Sequence, residues 1–199
     1  MAELQSLLVA DPPELWSDLG FAVLGGACGV SGATIQLGAP GAGVVSWSVT
    51  GATGLQELPV TDGELPGSFP SAAHANGVEG LDHVVVATPD LDRTVSAFEA
   101  VGVPLRRVRP VGTPDRPLAQ AFFKLGAVVV EVVGPPGVVD PGPARFYGLA
   151  FTVGDLDATA RLLGDRLRPA RDAVQPGRRI ATLDRGAGST VAMAFMSRA

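Results

Sequence analysis

Two side chains that could transfer protons stand in stretches of the sequence that otherwise look like buried β-strands. His83 follows Leu81-Asp82 and precedes three valines, and Glu131 lies in the run 128–133, whose other members are all valine. A carboxylate in such a strand costs free energy unless a cation, a hydrogen-bond donor or water meets it. Glu131 is therefore the residue whose position most needs an explanation, and His83 is the side chain that could be its partner.

The segment that contains His83 has a second copy further along the chain. A fixed offset of 65 residues maps the Asp-Leu-Asp at 90–92 onto the Asp-Leu-Asp at 155–157. In both copies a strand, a capping residue and an amphipathic helix follow one another, and further strands separated by Gly or Pro turns come next. The sequence therefore predicts an α+β fold of repeated β-α-β-β-β units. The units at 81–135 and 146–197 form a two-unit domain, 81–199.

The first fifty residues carry a looser version of the same order. A strand, a helix that starts after Asp11-Pro12-Pro13, and two or three strands predict a diverged third unit at 1–50. Residues 51–80 have no period and are rich in Gly, Pro and Ser, which predicts a linker. Because an odd number of units leaves one sheet edge and one concave face without an internal partner, we expect a homodimer.

The order of the elements predicts how His83 and Glu131 lie relative to each other. A right-handed crossover followed by two antiparallel returns brings the last strand of a unit beside the first. Because side chains alternate along a strand, Leu81, His83 and Val85 are expected on one face, with Glu131 on the matching face of its own strand. The imidazole and the carboxylate should then stand side by side on the sheet surface away from the helix.

These residues resemble the vicinal oxygen chelate superfamily, which includes glyoxalase I, bleomycin-resistance proteins and extradiol dioxygenases. The resemblance is carried by Leu-Asp-His at 81–83, by Pro-Asp-Leu-Asp at 89–92 and by the glutamate-containing strand at 129–134. It covers residues 81–199 well and residues 1–50 more loosely. It implies paired units whose curved mixed sheets enclose a cleft.

The resemblance also implies a metal site. In the metal-dependent members, histidines and a glutamate from the first and last strands of the units bind a divalent ion, and His83 and Glu131 match two of these positions. They would then be both ligands and catalytic groups for one ion such as zinc, nickel, iron or manganese. In the second unit, Gly148 or Tyr147 stands where a histidine is expected, and Met193 or a neighbour where the last glutamate is expected.

Several roles for the pair stay open at this point. With an ion and a third ligand, such as His74, the protein would be a metal-assisted lyase, isomerase or dioxygenase acting on a small oxygenated metabolite. Without an ion, His83 beside Glu131 could remove a proton next to a carbonyl. The cleft could instead bind and sequester a hydrophobic small molecule, as the resemblance to bleomycin-resistance proteins implies. In a purely structural role, the pair would be a hydrogen-bonded contact that fixes the cleft wall.

Further side chains could bind the small-molecule ligand in the cleft. Arg107 and Arg178 could hold an anionic group, although a solvated surface position is the simpler interpretation of both. One amide and three aromatic side chains complete the candidate lining, with ordinary core packing as the alternative for the aromatic ones: Gln120, Phe122, Phe146 and Tyr147.

Composition restricts the partners of this 199-residue chain. Its 15 basic and 20 acidic residues give a net charge of −5, which argues against nucleic acid or an anionic membrane as a partner. No run of about 18 apolar residues is present, so no membrane span is expected. Cys28 is the only cysteine, which excludes an internal disulfide and suits a reducing compartment. Together with the lack of a signal-peptide pattern, this predicts a cytoplasmic protein.

Overall fold

The structure is a computed structural model that describes residues 1–52, 58–61 and 72–198 of the chain. The first fifty residues form a sheet of four strands with one short helix. Its elements are β1 (Glu3–Val9), α1 (Pro13–Asp18), β2 (Ala27–Val30), β3 (Ala33–Gln36) and β4 (Val44–Thr50). The strand order is β2-β3-β1-β4, in which β1 is parallel to β3 and antiparallel to β4.

A second, larger sheet follows and contains two successive groups of elements. The first group is β5 (Val78–Ala87), α2 (Leu91–Ala100), β6 (Arg107–Thr113), β7 (Arg116–Leu125) and β8 (Val128–Gly134). The second group is β9 (Arg145–Val153), α3 (Leu156–Leu163), β10 (Arg171–Asp172), β11 (Arg179–Thr182) and β12 (Ala192–Ser197). Each group has the order β-α-β-β-β, so the predicted fold class is confirmed.

The two groups share one continuous, curled sheet of order β10-β11-β12-β9-β5-β8-β7-β6. Within each group the first strand is parallel to the last, because β5 pairs with β8 and β9 pairs with β12. The two first strands, β5 and β9, pair antiparallel at the centre of the sheet. The first and last strands of both units therefore meet in the middle, where the concave face can form a cleft.

Both helices of the large sheet begin at the aspartates that the repeat places at equivalent positions. Asp90 Oδ1 accepts a hydrogen bond from the backbone N–H of Arg93, and Asp155 Oδ1 accepts one from that of Ala158, each at 2.9 Å. These carboxylates satisfy a backbone donor that the first helical turn leaves unpaired. The caps therefore fix where α2 and α3 start, and with them the face that each helix packs on the sheet.

The small sheet and α1 cover the convex face of the large sheet, which also carries α2 and α3. The ring centroids of Trp16 and Phe151 are 6.0 Å apart, and those of Trp47 and Phe98 are 6.3 Å apart. Buried residues of both sheets belong to one apolar core. The concave face of the large sheet is left to line the cleft.

Residues 1–50 differ from the expected third repeat unit in how their strands pair and in what covers their sheet. The predicted order of elements is present, but β1 is antiparallel to β4, the last strand of its group, and parallel to β3. In contrast, β5 and β9 are each parallel to the last strand of their own unit. The small sheet has an internal partner, so the reason that we gave for a homodimer does not hold. The homodimer itself stays a prediction.

The stretch expected as a linker, 51–80, is only partly covered by the described residues. Strand β5 begins at Val78, so the last three residues of that stretch belong to the large sheet. Positions 53–57 and 62–71 lie outside the described residues. Within the ranges that the structure describes, no helix has the length and hydropathy needed to cross a bilayer.

Candidate functional site

A break in strand alternation places two polar side chains on the concave face. Leu81 pairs with Phe151 and His83 with Ala150, so Asp82 is an extra residue without a partner in β9. Such a bulge turns two successive side chains to the same side of a sheet. Asp82 and His83 both line a hollow on the concave face, while Leu81 is buried on the opposite side. The expectation that Leu81 shares a face with His83 is therefore wrong.

His83 lies between two carboxylates. Its Nδ1 is 2.8 Å from Asp82 Oδ2, and its Nε2 is 4.0 Å from Glu131 Oε2. Because a carboxylate only accepts hydrogen bonds, Nδ1 carries a proton, and in the neutral ring Nε2 is left as an acceptor. The predicted meeting of His83 and Glu131 is present, and Asp82 is a partner that the sequence did not suggest.

Glu131 is held from the side opposite to His83. Gln120 Nε2 donates to Glu131 Oε1 at 2.5 Å, and Arg109 Nε donates to Gln120 Oε1 at 2.8 Å. Both partners come from β6 and β7, on the face that carries Glu131. The amide therefore occupies one carboxylate oxygen and leaves Oε2 facing His83. Gln120 was a predicted cleft residue.

Asp82 is ionised and, like Glu131, is held by hydrogen bonds from side chains on the side away from His83. Arg178 Nη2 donates to Asp82 Oδ1 at 2.7 Å, and Thr152 Oγ1 donates to the same oxygen at 3.2 Å. Burial alone would raise the pKa of Asp82, but the hydrogen bonds from His83 and Arg178, together with the positive charge of Arg178, outweigh burial and lower the pKa to about 2. Arg178 thus lies behind Asp82 and acts on His83 only through it.

The main cavity beside this cluster is a cleft of about 620 Å³, a volume typical of small-molecule sites. Glu131 and His83 stand at its wall, and Tyr147 lies at its rim with 56% of its surface exposed. Most other side chains that line it are small or apolar: Val85, Ala87, Val133, Ala150, Ile180 and Ala194. Besides His83 and Glu131, one further charged residue among those described lines the cleft, Arg171 of β10.

A smaller hollow of about 490 Å³ adjoins the same pair on its other side. It holds two of the predicted ligand-binding residues, Arg107 and Phe122, with the Arg107 guanidinium 4.8 Å from the centre of the Phe122 ring. This contact is a cation–π interaction at an exposed site. Arg107 is thus close to the cluster, although its charge is already directed at an aromatic ring.

The family model described as Glyoxalase/Bleomycin resistance protein/Dioxygenase superfamily matches residues 82–182, which is half of the chain. The chain belongs to this superfamily. A comparison with curated protein sequences gives no significant match.

Solved structures with a similar fold include two methylmalonyl-CoA epimerases. The one from Mycobacterium tuberculosis is 25% identical at a TM-score of 0.48, over 62% of this chain and 90% of that chain. A variant of the Streptomyces coelicolor epimerase in complex with 2-nitronate-propionyl-CoA is 23% identical at a TM-score of 0.47, over 61% of this chain and 96% of that chain.

The second unit of this superfamily member lacks counterparts of His83 and Glu131. The 65-residue offset places Gly148 at the position of His83, as predicted. It also places Ala150 at that of Val85, and since Val85 pairs with Glu131, the counterpart of Glu131 is Ala194. The other candidate, Met193, is a buried residue of the apolar core.

The donor set does not fit a divalent ion held by protein side chains. Catalytic sites for such ions usually have three protein ligands, and the cleft offers His83 Nε2 and Glu131 Oε2, with the other glutamate oxygen bonded to Gln120. In the part of the chain that the structure describes, no three His, Cys, Asp or Glu side chains come together as a metal site. The ligand set that the superfamily resemblance implied is thus incomplete here.

The remaining predicted site residues lie away from the cleft. Phe146 packs against Trp47 on the convex face, with ring centroids 5.2 Å apart, because a second irregularity in β9 leaves Tyr147 as the extra residue. Its assignment to the cleft is wrong. His74 is buried in the small-sheet layer, where Nδ1 accepts from the Ala22 N–H at 2.9 Å, so it is neither a surface residue nor a third ligand.

Proposed function

We propose that this superfamily member binds a small, mainly apolar molecule in its cleft, with one hydrogen-bond donor of the molecule held between His83 and Glu131. No ion held by protein side chains is part of this site. The observation that carries the proposal is the contrast between the two units. The first unit places an imidazole and a carboxylate 4.0 Å apart, whereas the second unit has Gly148 and Ala194 at the equivalent positions.

The chemistry of the paired groups supports a ligand that donates. When the His83 ring is neutral and Nδ1 donates to Asp82, Nε2 is an acceptor, and Glu131 Oε2 is an acceptor as well. Two acceptors at this separation repel each other, and an O–H or N–H of a ligand placed between them would donate to one acceptor and relieve this repulsion. The apolar lining then favours a hydrocarbon or aromatic body, since removing such surface from water contributes about 25 cal/mol per Å².

A pair of matched probes tests the proposal. 1-Naphthol has an aromatic body and one O–H donor, whereas naphthalene has the body alone. We expect Glu131→Gln to weaken 1-naphthol binding roughly tenfold, because the hydrogen bond to a charged acceptor is lost, and to leave naphthalene binding unchanged. Fluorescence titration measures both affinities, with Glu99→Gln on the exposed face of α2 as the control for lost charge.

Two further measurements decide whether the cleft is the site. Ala194→Phe fills the cleft and should abolish binding of both probes, whereas EDTA should change neither affinity. Equal loss of 1-naphthol and naphthalene on Glu131→Gln would contradict the role of the carboxylate. Loss of binding on EDTA treatment would contradict the metal-free site.

A second candidate function is proton transfer, and the Asp82–His83 contact favours it. An ionised carboxylate that accepts from Nδ1 fixes the ring with Nε2 towards the cleft, which is the arrangement of a general base. Incubating the protein with 2-tetralone in D₂O would reveal such a base as faster exchange of the protons next to the carbonyl. The exchange should disappear in His83→Gln and persist in Glu99→Gln. If no exchange above buffer is seen, ligand binding alone is the function.

A further inference from the structure

A second cavity of about 610 Å³ lies at the end of the large sheet where β9 begins and β11 ends. Three arginines stand in its wall, Arg145, Arg168 and Arg185, with Asp184 among them. We call this cavity the arginine pocket. Its wall therefore carries two more positive than negative charges, in a chain whose net charge is −5.

The one acidic side chain of the arginine pocket is already engaged. Asp184 Oδ2 accepts from Arg168 Nε at 3.1 Å, and Asp184 Oδ1 accepts from the Gly186 N–H at 2.8 Å. These bonds hold the carboxylate in the turn between β11 and β12. Asp184 therefore neutralises Arg168 and offers no hydrogen bond to the other two arginines.

The N–H groups of the Arg145 and Arg185 guanidinium groups are available to a ligand. Within the described ranges, neither guanidinium makes a hydrogen bond or a salt bridge, although the charge of Arg185 contributes to lowering the pKa of nearby Asp184. Each guanidinium presents a planar fork of N–H groups that matches the oxygens of a phosphate or carboxylate. Two such forks beside one cavity form a receptor for an anion.

The arginine pocket is connected to the cleft. Tyr147, Thr182 and Ala192 line both cavities. Tyr147 stands at this boundary because it is the extra residue in the irregular pairing of β9 with β5. Its exposed ring lies between the apolar cleft, which reaches His83, and the arginine pocket, which contains Arg145 and Arg185.

We propose that the arginine pocket binds a phosphate or carboxylate group of the molecule whose uncharged part lies in the cleft. The binding of the anion depends only on the arginine pocket, whereas the link to the cleft rests on the proposed function. The ligand is accordingly an amphipathic metabolite with an anionic end, passing over Tyr147.

Three probes separate the two halves of such a ligand. Inorganic pyrophosphate supplies the anion alone, 1-octanol supplies the apolar part with an uncharged hydroxyl, and octyl phosphate supplies both the apolar part and the anion. The pocket variant is Arg145→Gln with Arg185→Gln. The charge-matched control is Arg116→Gln with Arg161→Gln, two exposed arginines outside the arginine pocket. Ala194→Phe blocks the cleft.

Calorimetric titration at about 0.15 M ionic strength keeps long-range charge effects small. We expect the pocket variant to bind pyrophosphate roughly tenfold more weakly or worse, with no change in the charge-matched control or in Ala194→Phe. The affinity for octyl phosphate should decrease both in the pocket variant and in Ala194→Phe. Binding of 1-octanol should weaken only in Ala194→Phe.

Each contrary result has a definite meaning. Equal pyrophosphate affinity in the pocket variant and the charge-matched control would overturn the anion site, since only net charge would then matter. If Ala194→Phe leaves the affinity for octyl phosphate unchanged, the connection to the cleft is overturned. If pyrophosphate binds as expected and 1-octanol does not bind at all, the function proposed for the cleft fails while the anion site stands.

Discussion

At the scale of single residues, the position of Asp82 controls the chemistry available to His83. A regular strand would have turned Asp82 to the apolar face, where an ionised carboxylate is costly. The bulge instead lets one carboxylate bond both His83 and Arg178. The meeting of His83 with Glu131 could be predicted, since it follows from which strands are neighbours. The bulge could not, because no residue pattern in β5 marks the extra residue.

Replacing Asp82 should reveal this network as a pH-dependent loss of stability. The folded pKa of about 2 lies below the ordinary value of 3.8, so the carboxylate stabilises the fold above about pH 4 and loses this effect as the pH falls towards 2. We expect Asp82→Asn to lower the free energy of unfolding by about 2 kcal/mol at pH 7, with a smaller difference at pH 3. Urea unfolding measures both, and Asp157→Asn, at an exposed pair with Arg179, is the control.

The buried His74 should make the protein less stable as the pH falls below 6.5, which is a higher pH range than the one in which Asp82 acts. Desolvation lowers the pKa of His74 below 6.5, while its hydrogen bond to the Gly29 carbonyl opposes this. As the pH falls below 6.5 the unfolded chain takes up a proton that the folded protein does not, so stability decreases there. A proton on Nδ1 would also displace the bond from the Ala22 N–H. His74→Gln should flatten the unfolding free energy between pH 7 and 5, and an unchanged slope would contradict this role.

At the scale of strands and helices, the repeat explains what sequence alone could and could not predict. The strand–helix order, the two aspartate caps and the pairing of first with last strand all follow from periodicity and connection rules. The faces of β9 do not, because its irregular pairing at Tyr147 sends Phe146 to the convex side. The strand order of residues 1–50 also escaped prediction, since short strands do not specify their neighbours.

The close contact of β9 with β12 depends on Gly148. A Cβ atom added there would lie 2.4 Å from the backbone oxygen of Ala192, so the two paired strands would have to separate. We expect Gly148→Ala to destabilise the protein by about 1–3 kcal/mol in urea unfolding. Gly154→Ala is the matched control, since its Cβ would meet only the end of the flexible Glu79 side chain, at 2.8 Å. A histidine ligand could not be restored at position 148 for the same reason.

At the scale of the whole molecule, the small sheet supports the cleft from behind. Asp11, at the start of α1, accepts hydrogen bonds from Trp16 Nε1 at 3.2 Å and from the Thr190 N–H at 2.8 Å. Thr190 belongs to the turn before β12 that also forms the arginine pocket. The small sheet is thus bonded to the segment that shapes the anion site, and aromatic contacts fix it to the centre of the large sheet.

This arrangement predicts that the chain unfolds as one cooperative unit. A shared apolar core means that neither sheet can lose its partner without exposing buried surface, which is the condition for a two-state transition. The only two tryptophans, Trp16 and Trp47, both belong to the small-sheet layer, are fully buried and contact aromatic rings of the large-sheet units, so their fluorescence reports whether that layer stays packed on the large sheet. Far-UV circular dichroism instead reports mainly the larger sheet.

The two signals should therefore give the same midpoint in urea, and Asp11→Ala should shift both midpoints together to lower urea. Asp11→Ala leaves the buried Trp16 Nε1–H without its acceptor, which costs about 1–3 kcal/mol, and also removes the hydrogen bond from the partly buried Thr190 N–H. A tryptophan transition that precedes the circular dichroism transition would mean that the small sheet detaches by itself. The large sheet would then keep its cleft without the layer behind it, and 1-naphthol binding would follow the circular dichroism signal rather than the fluorescence.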